Sequence, residues 1–83
     1  MIPLEELRGM LQQAFPTGTV QLESNDNVHF QLLIVAEEFD GKNMVEQHQM
    51  VYAALGDAMR EAVHALTIRS LTPAQWKAQG GGN

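Results

Sequence analysis

Between Phe39 and His64 the chain turns back and then returns, and what flanks this stretch restricts the fold more than any other feature. Ahead of it stands the continuous apolar run Leu32-Leu33-Ile34-Val35-Ala36. The run reads as part of a strand from Val28 to about Glu37, buried on both faces and therefore central in its sheet. The strand has ended by Phe39, and Asp40-Gly41 supplies a tight turn. Asn43 with Glu46 three residues later forms a capping box, which starts a helix. Met44, His48, Val51, Leu55 and Met59 then recur at steps of three or four, which places them on one helical face. His64-Ala65-Leu66-Thr67-Ile68-Arg69 alternates as a second strand, with His64, Leu66 and Ile68 on one side. Such a crossover is right-handed in nearly all proteins, so the second strand should run parallel to the first.

Pro3 suits the first turn of a helix, and Leu4, Leu7, Leu11 and Ala14 lie along one side of a helix reaching about Phe15. Pro16-Thr17-Gly18 breaks it. Val20-Gln21-Leu22-Glu23 alternates as a strand with one wet face, and Ser24-Asn25-Asp26-Asn27 is a turn cluster closing a hairpin. Beyond the crossover, Thr72-Pro73-Ala74-Gln75 combines an N-cap, a proline at the first helical position and a capping-box glutamine, so a short helix follows, with Trp76 packing back. Residues 79–83 read as a flexible tail after a domain of residues 1–78. The expected fold is α+β, in the order αββαβα, with a three-stranded mixed sheet and helices mainly on one face.

Eighty-three residues make one domain, and 45% hydrophobic residues are enough for one small core. The absence of cysteine removes disulfides, thiolate metal sites and thiol catalysis, so a partner must bring the sulfur for any soft metal centre. No apolar run reaches the ~18 residues of a membrane span, and the first residues lack a basic stretch before an apolar one, which points to a cytoplasmic protein. Ten acidic against five basic side chains give a net charge of -5, which repels nucleic-acid phosphates. No glycine-rich phosphate loop or activated nucleophile argues for an enzyme.

Val28-His29-Phe30, Phe39-Asp40-Gly41, His48-Gln49-Met50-Val51-Tyr52, Val63-His64-Ala65-Leu66 and Leu71-Thr72-Pro73-Ala74-Gln75-Trp76 together resemble the BolA family, in particular its short bacterial members. The resemblance covers nearly the whole chain. It implies a class II KH-like fold, association with a monothiol glutaredoxin, and shared ligation of a bridging two-iron two-sulfur cluster, in iron-sulfur trafficking or iron regulation. The partner's cysteine and glutathione would supply the sulfur. Alone, the chain is expected to be a monomer or a weak dimer. Some family members are described as DNA-binding transcriptional regulators, which is the alternative reading.

The resemblance matches His64 to the histidine that the family uses as a cluster ligand, and imidazole suits iron. For the second ligand the family often has a cysteine or histidine in the loop between the first two strands, whereas here that loop reads Ser24-Asn25-Asp26-Asn27. His29, just beyond it, and Asp26 are the candidates. Each also has a plain structural reading, His29 as a packed residue and Asp26 as a turn former. His48 reads as a core or boundary histidine whose ring nitrogens need hydrogen-bond partners. Met44, Met50 and Met59 read as core filling. For nucleic acid, the turn Asp40-Gly41-Lys42-Asn43 has one glycine where a KH-like module offers two, and Lys42, Arg60, Arg69 and Lys77 are scattered.

Overall fold

The computed structural model describes residues 3–58 and 65–81. Helix α1 spans Leu4–Ala14, strand β1 Thr19–Glu23, strand β2 His29–Val35, helix α2 Met44–Leu55, strand β3 Ala65–Leu71 and helix α3 Pro73–Ala78, with a 3-10 turn at Glu37–Phe39 ahead of α2. The αββαβα order is the expected one. Strand β2 is central, paired antiparallel with β1 and parallel with β3.

The alternation of each strand is matched by its register. Leu22 pairs with Leu32, Phe30 with Leu66 and Leu32 with Ile68, and this row of side chains forms the core side of the sheet. Leu7 and Leu11 of α1 and Val51 and Leu55 of α2 pack over it. Phe15 and Phe39 close the core with ring centroids 5.2 Å apart. Each buried side chain of this size contributes about 1.5–3 kcal/mol by leaving water. The opposite row carries Gln21, Glu23, His29, Gln31, Thr67 and Arg69, all exposed. Helices cover one face of the sheet and leave most of the other open.

Both capping boxes form as the residues foretell. The side chain of Asn43 accepts the N–H of Glu46 at 2.9 Å and that of Glu46 accepts the N–H of Asn43 at 2.9 Å; Thr72 and Gln75 repeat the exchange at the start of α3. Gly41 takes φ of 78°, the left-handed conformation that its turn requires. Gly18 is needed for a different reason: a Cβ there would stand 2.5 Å from the carbonyl oxygen of Val35.

The structure corrects four details. Strand β2 stops at Val35, short of Glu37, because the chain bends into the 3-10 turn, where the N–H of Phe39 donates to the carbonyl of Ala36 at 3.2 Å. The same strand is not buried on both faces along its length: His29 and Gln31 are exposed and Leu33 is half-buried. Ala14 is exposed, and Phe15, one residue on, takes the core position. Helix α2 is rotated from the expected face. Met44 is 58% exposed and His48 half-buried, while Gln47, Val51, Leu55 and, beyond the helix, Ala58 are buried. Met59, also assigned to that face, lies outside the described residues. After α3, the backbone N–H of Gly81 donates to the carbonyl of Trp76 at 2.9 Å and Gly81 packs on the indole.

The rotation of α2 has a polar cause. Gln47 is 6% exposed and all its polar atoms are used: Nε2 donates to the carbonyls of Lys42 at 2.8 Å and Phe39 at 3.4 Å, and Oε1 accepts from Ser70 Oγ at 2.6 Å. A buried amide is tolerated only when paired. This one ties α2 to the turn before it and to β3. Ser70→Ala should therefore lower unfolding stability by about 1–3 kcal/mol, the cost of a buried acceptor left unpaired. It is read as a shift in the urea midpoint at unchanged slope.

Candidate metal centre

The parallel pairing of β2 and β3 runs in step from His29 with Ala65 to Val35 with Leu71. His29 is thus the first residue of β2, and its partner Ala65 is the chain neighbour of position 64. His64 itself lies outside the described residues. The hairpin between β1 and β2 closes over the same end of the sheet.

Asp26 organises that hairpin. Its Oδ1 accepts the backbone N–H of Val28 at 2.9 Å and of His29 at 2.8 Å, and its Oδ2 lies 2.8 Å from His29 Nδ1. Ser24 Oγ donates to the carbonyl of His29 at 2.7 Å and accepts the N–H of Asn27 at 2.9 Å. Asn27 sits at φ of 60°, which asparagine tolerates at low cost. The hydrogen bond from the backbone of His29 is the largest cause, followed by that from its ring and by the backbone of Val28, of an Asp26 carboxyl held far below its ordinary value of 3.8. Both side chains remain open to solvent, with the His29 side chain 73% exposed and that of Asp26 50%. Beside them a cleft of about 140 Å³ is lined by Glu23, Ser24, Asn25, Asp26, His29 and Gln31.

The two candidates for a second ligand therefore differ. Both Asp26 oxygens are engaged within the hairpin, while His29 presents an exposed ring held by a carboxylate. The carboxylate-to-imidazole contact is the arrangement that supports metal-bound histidines in general. His29 was legible in the sequence as a candidate; the service of Asp26 was not, although its place three residues before His29 in an Asx-type turn is the signal that points to it. Among the described residues, no group of three or more His, Asp or Glu side chains is gathered to hold a metal ion.

His48 stands apart, on α2. Its Nε2 is shut off from solvent without a hydrogen-bond partner among the described residues, as is Glu38 Oε1. Tyr52 is 42% exposed on the same helix and Trp76 is half-buried against Gly81. Lys42 lies in the turn before α2, Arg69 on β3 and Lys77 on α3, and Arg60 is outside the described residues. No helix among the described residues is long and apolar enough to cross a membrane.

Known proteins resemble the chain in both sequence and fold. A family model described as BolA-like protein matches residues 12–75. BolA-like protein 1 of Bos taurus is 32% identical over 80 residues, covering 86% of this chain and 59% of that protein. The acid stress protein IbaG of Escherichia coli K12 is 36% identical over 72 residues, covering 86% of this chain and 84% of that protein. The DNA-binding transcriptional regulator BolA of Haemophilus influenzae is 37% identical over 51 residues, covering 61% of this chain and 50% of that protein. The solution structure of BolA1 from Mus musculus superposes with a TM-score of 0.81 at 29% identity, over 96% of this chain and 73% of that one. The chain thus spans 58–59% of the length of the mammalian relatives it matches in sequence.

Because the folded pKa of Asp26 is depressed, the stability that its hydrogen bonds lend the hairpin is fully present above 3.8 and is lost as pH falls below it. Hydrogen exchange at the Val28 and His29 amides, corrected for intrinsic rate, should thus show constant protection between about pH 5 and 7 and reduced protection below about pH 4. Asp26→Ala should abolish that protection at every pH.

Proposed function

Since the chain belongs to the BolA family, we propose that it is an interaction module that docks on a monothiol glutaredoxin and co-ligates a bridging two-iron two-sulfur cluster, with His64 and His29 as its ligands. The observation that carries the choice of His29 is its exposed ring, held at Nδ1 by Asp26 at the end of the sheet where β2 meets Ala65. Imidazole is a donor that iron accepts, and a carboxylate on the far nitrogen strengthens it. The chain has no cysteine, so the partner's cysteine and glutathione provide the sulfur ligands. When bound, the cluster supplies one-electron chemistry, at a potential that imidazole ligation raises above that of an all-thiolate site. The residues of this chain bind and orient: His29 from the first position of β2, His64 as the other nitrogen donor, and the hairpin by fixing where the His29 ring stands.

A second reading follows from the name of the Haemophilus influenzae relative, a DNA-binding transcriptional regulator. In this chain the net charge of -5 and the separated cations oppose it. The two readings part on salt: phosphate-driven binding weakens by orders of magnitude between ~50 and ~200 mM salt when six or more phosphates are contacted, whereas ligation by histidine depends on the imidazole.

The test is to mix the protein with a cluster-loaded monothiol glutaredoxin and follow visible circular dichroism. Wild type should change the spectrum and co-elute with the partner, His64→Ala should lose the change, and His29→Ala should weaken or lose it. An unchanged spectrum and elution volume with wild type would refute the proposal, and steeply salt-dependent binding to duplex DNA would then favour the regulator.

A further inference from the structure

Asp26 spends its carboxylate in two directions. Oδ1 takes two backbone N–H groups of its own turn, which locks the side chain, and Oδ2 is thereby left as a fixed acceptor 2.8 Å from His29 Nδ1. An ionised carboxylate only accepts hydrogen bonds, so the nitrogen facing it must carry the proton. In the neutral ring this leaves the lone pair on Nε2, the nitrogen remote from the hairpin. Without such a neighbour a neutral histidine exchanges between two tautomers, and only one of them presents a lone pair at Nε2.

We propose that Asp26 is the positioning residue of the ligand site: it holds His29 in the Nδ1–H tautomer and in one orientation, so that Nε2 is presented as the ligand. The proposal rests on the reading of His29 as a cluster ligand and adds to it a residue that never touches the metal. Ser24 supports the arrangement from the other side, because its Oγ bridges the N–H of Asn27 and the carbonyl of His29 and holds the strand's first residue against the turn. The hairpin is thus built so that turn formation and ring orientation are one event.

Asp26→Asn separates the two roles. The amide oxygen can still accept the backbone N–H groups of Val28 and His29, preserving the turn, but the amide nitrogen is a donor and meets His29 Nδ1 only as an acceptor, which moves the ring proton to Nε2. Nitrogen-15 chemical shifts of the His29 ring, measured on the free protein at pH 8, should report Nδ1–H in wild type and Nε2–H in the variant. Exchange protection of the Val28 and His29 amides should be retained in the variant. Titration into cluster-loaded monothiol glutaredoxin, followed by visible circular dichroism, should show ~10–100-fold weaker association for Asp26→Asn, the usual consequence of removing a ligand's outer partner. A wild-type ring in the Nε2–H form overturns the proposal, and so does unchanged association of Asp26→Asn where His29→Ala loses it; both leave the function reading standing. If His29→Ala also associates as wild type does, the ligation by His29 has failed and the positioning role falls with it.

Discussion

The in-step parallel pairing of β2 with β3 is the constraint on which the rest of the structure depends. Seven residues of each strand match without a bulge, from His29 with Ala65 to Val35 with Leu71. Parallel strands need a long connection, and α2 is what that connection carries. Since side chains alternate, this one register also decides which residues share a face. It sends Phe30, Leu32, Leu66 and Ile68 to the helices and His29, Gln31, Thr67 and Arg69 to the open side. It brings the head of β2 next to the head of β3 as well, so that His29, beside the hairpin, pairs with Ala65.

Gln47 fixes α2 against this sheet. Its amide reads the carbonyls of Phe39 and Lys42 at one end and the hydroxyl of Ser70 at the other, so the helix cannot rotate without unpairing a buried polar group. The cost of an unpaired buried amide exceeds the gain from burying a methionine a little further, and this decides the helical phase. Met44 and Val45 are left exposed as a consequence.

Local signals were legible in the sequence wherever the chemistry is local. Asn43 with Glu46, and Thr72 with Pro73 and Gln75, announce helix starts through contacts three residues apart. Asp40-Gly41 and Ser24 to Asn27 announce turns for the same reason. The phase of α2 was not legible, because the partner that admits Gln47 to the core is Ser70, distant in the chain and itself polar. The end of β2 was missed because Ala36 and Phe39 are buried in a 3-10 turn as fully as they would be in a strand, and an apolar run does not distinguish the two. In the candidate site, His29 was named through the family resemblance, as the histidine just beyond the loop where the family often carries a ligand, and not from spacing. The division of Asp26 between turn and ring depends on side-chain geometry, which spacing alone does not specify.

On the proposed reading, a chain without cysteine that offers the exposed imidazole of His29 would complete its centre only with a partner, and its own contribution to that centre would be nitrogen. The most direct measurement of that claim is pulsed electron paramagnetic resonance on the reduced, cluster-bridged complex, made with nitrogen-15 histidine incorporated into this chain alone. Hyperfine couplings of directly coordinated nitrogen-15 are predicted in the complex with wild type, from two histidines, falling to one with His29→Ala. A complex that forms with its cluster intact but shows no strongly coupled nitrogen-15 would contradict the account.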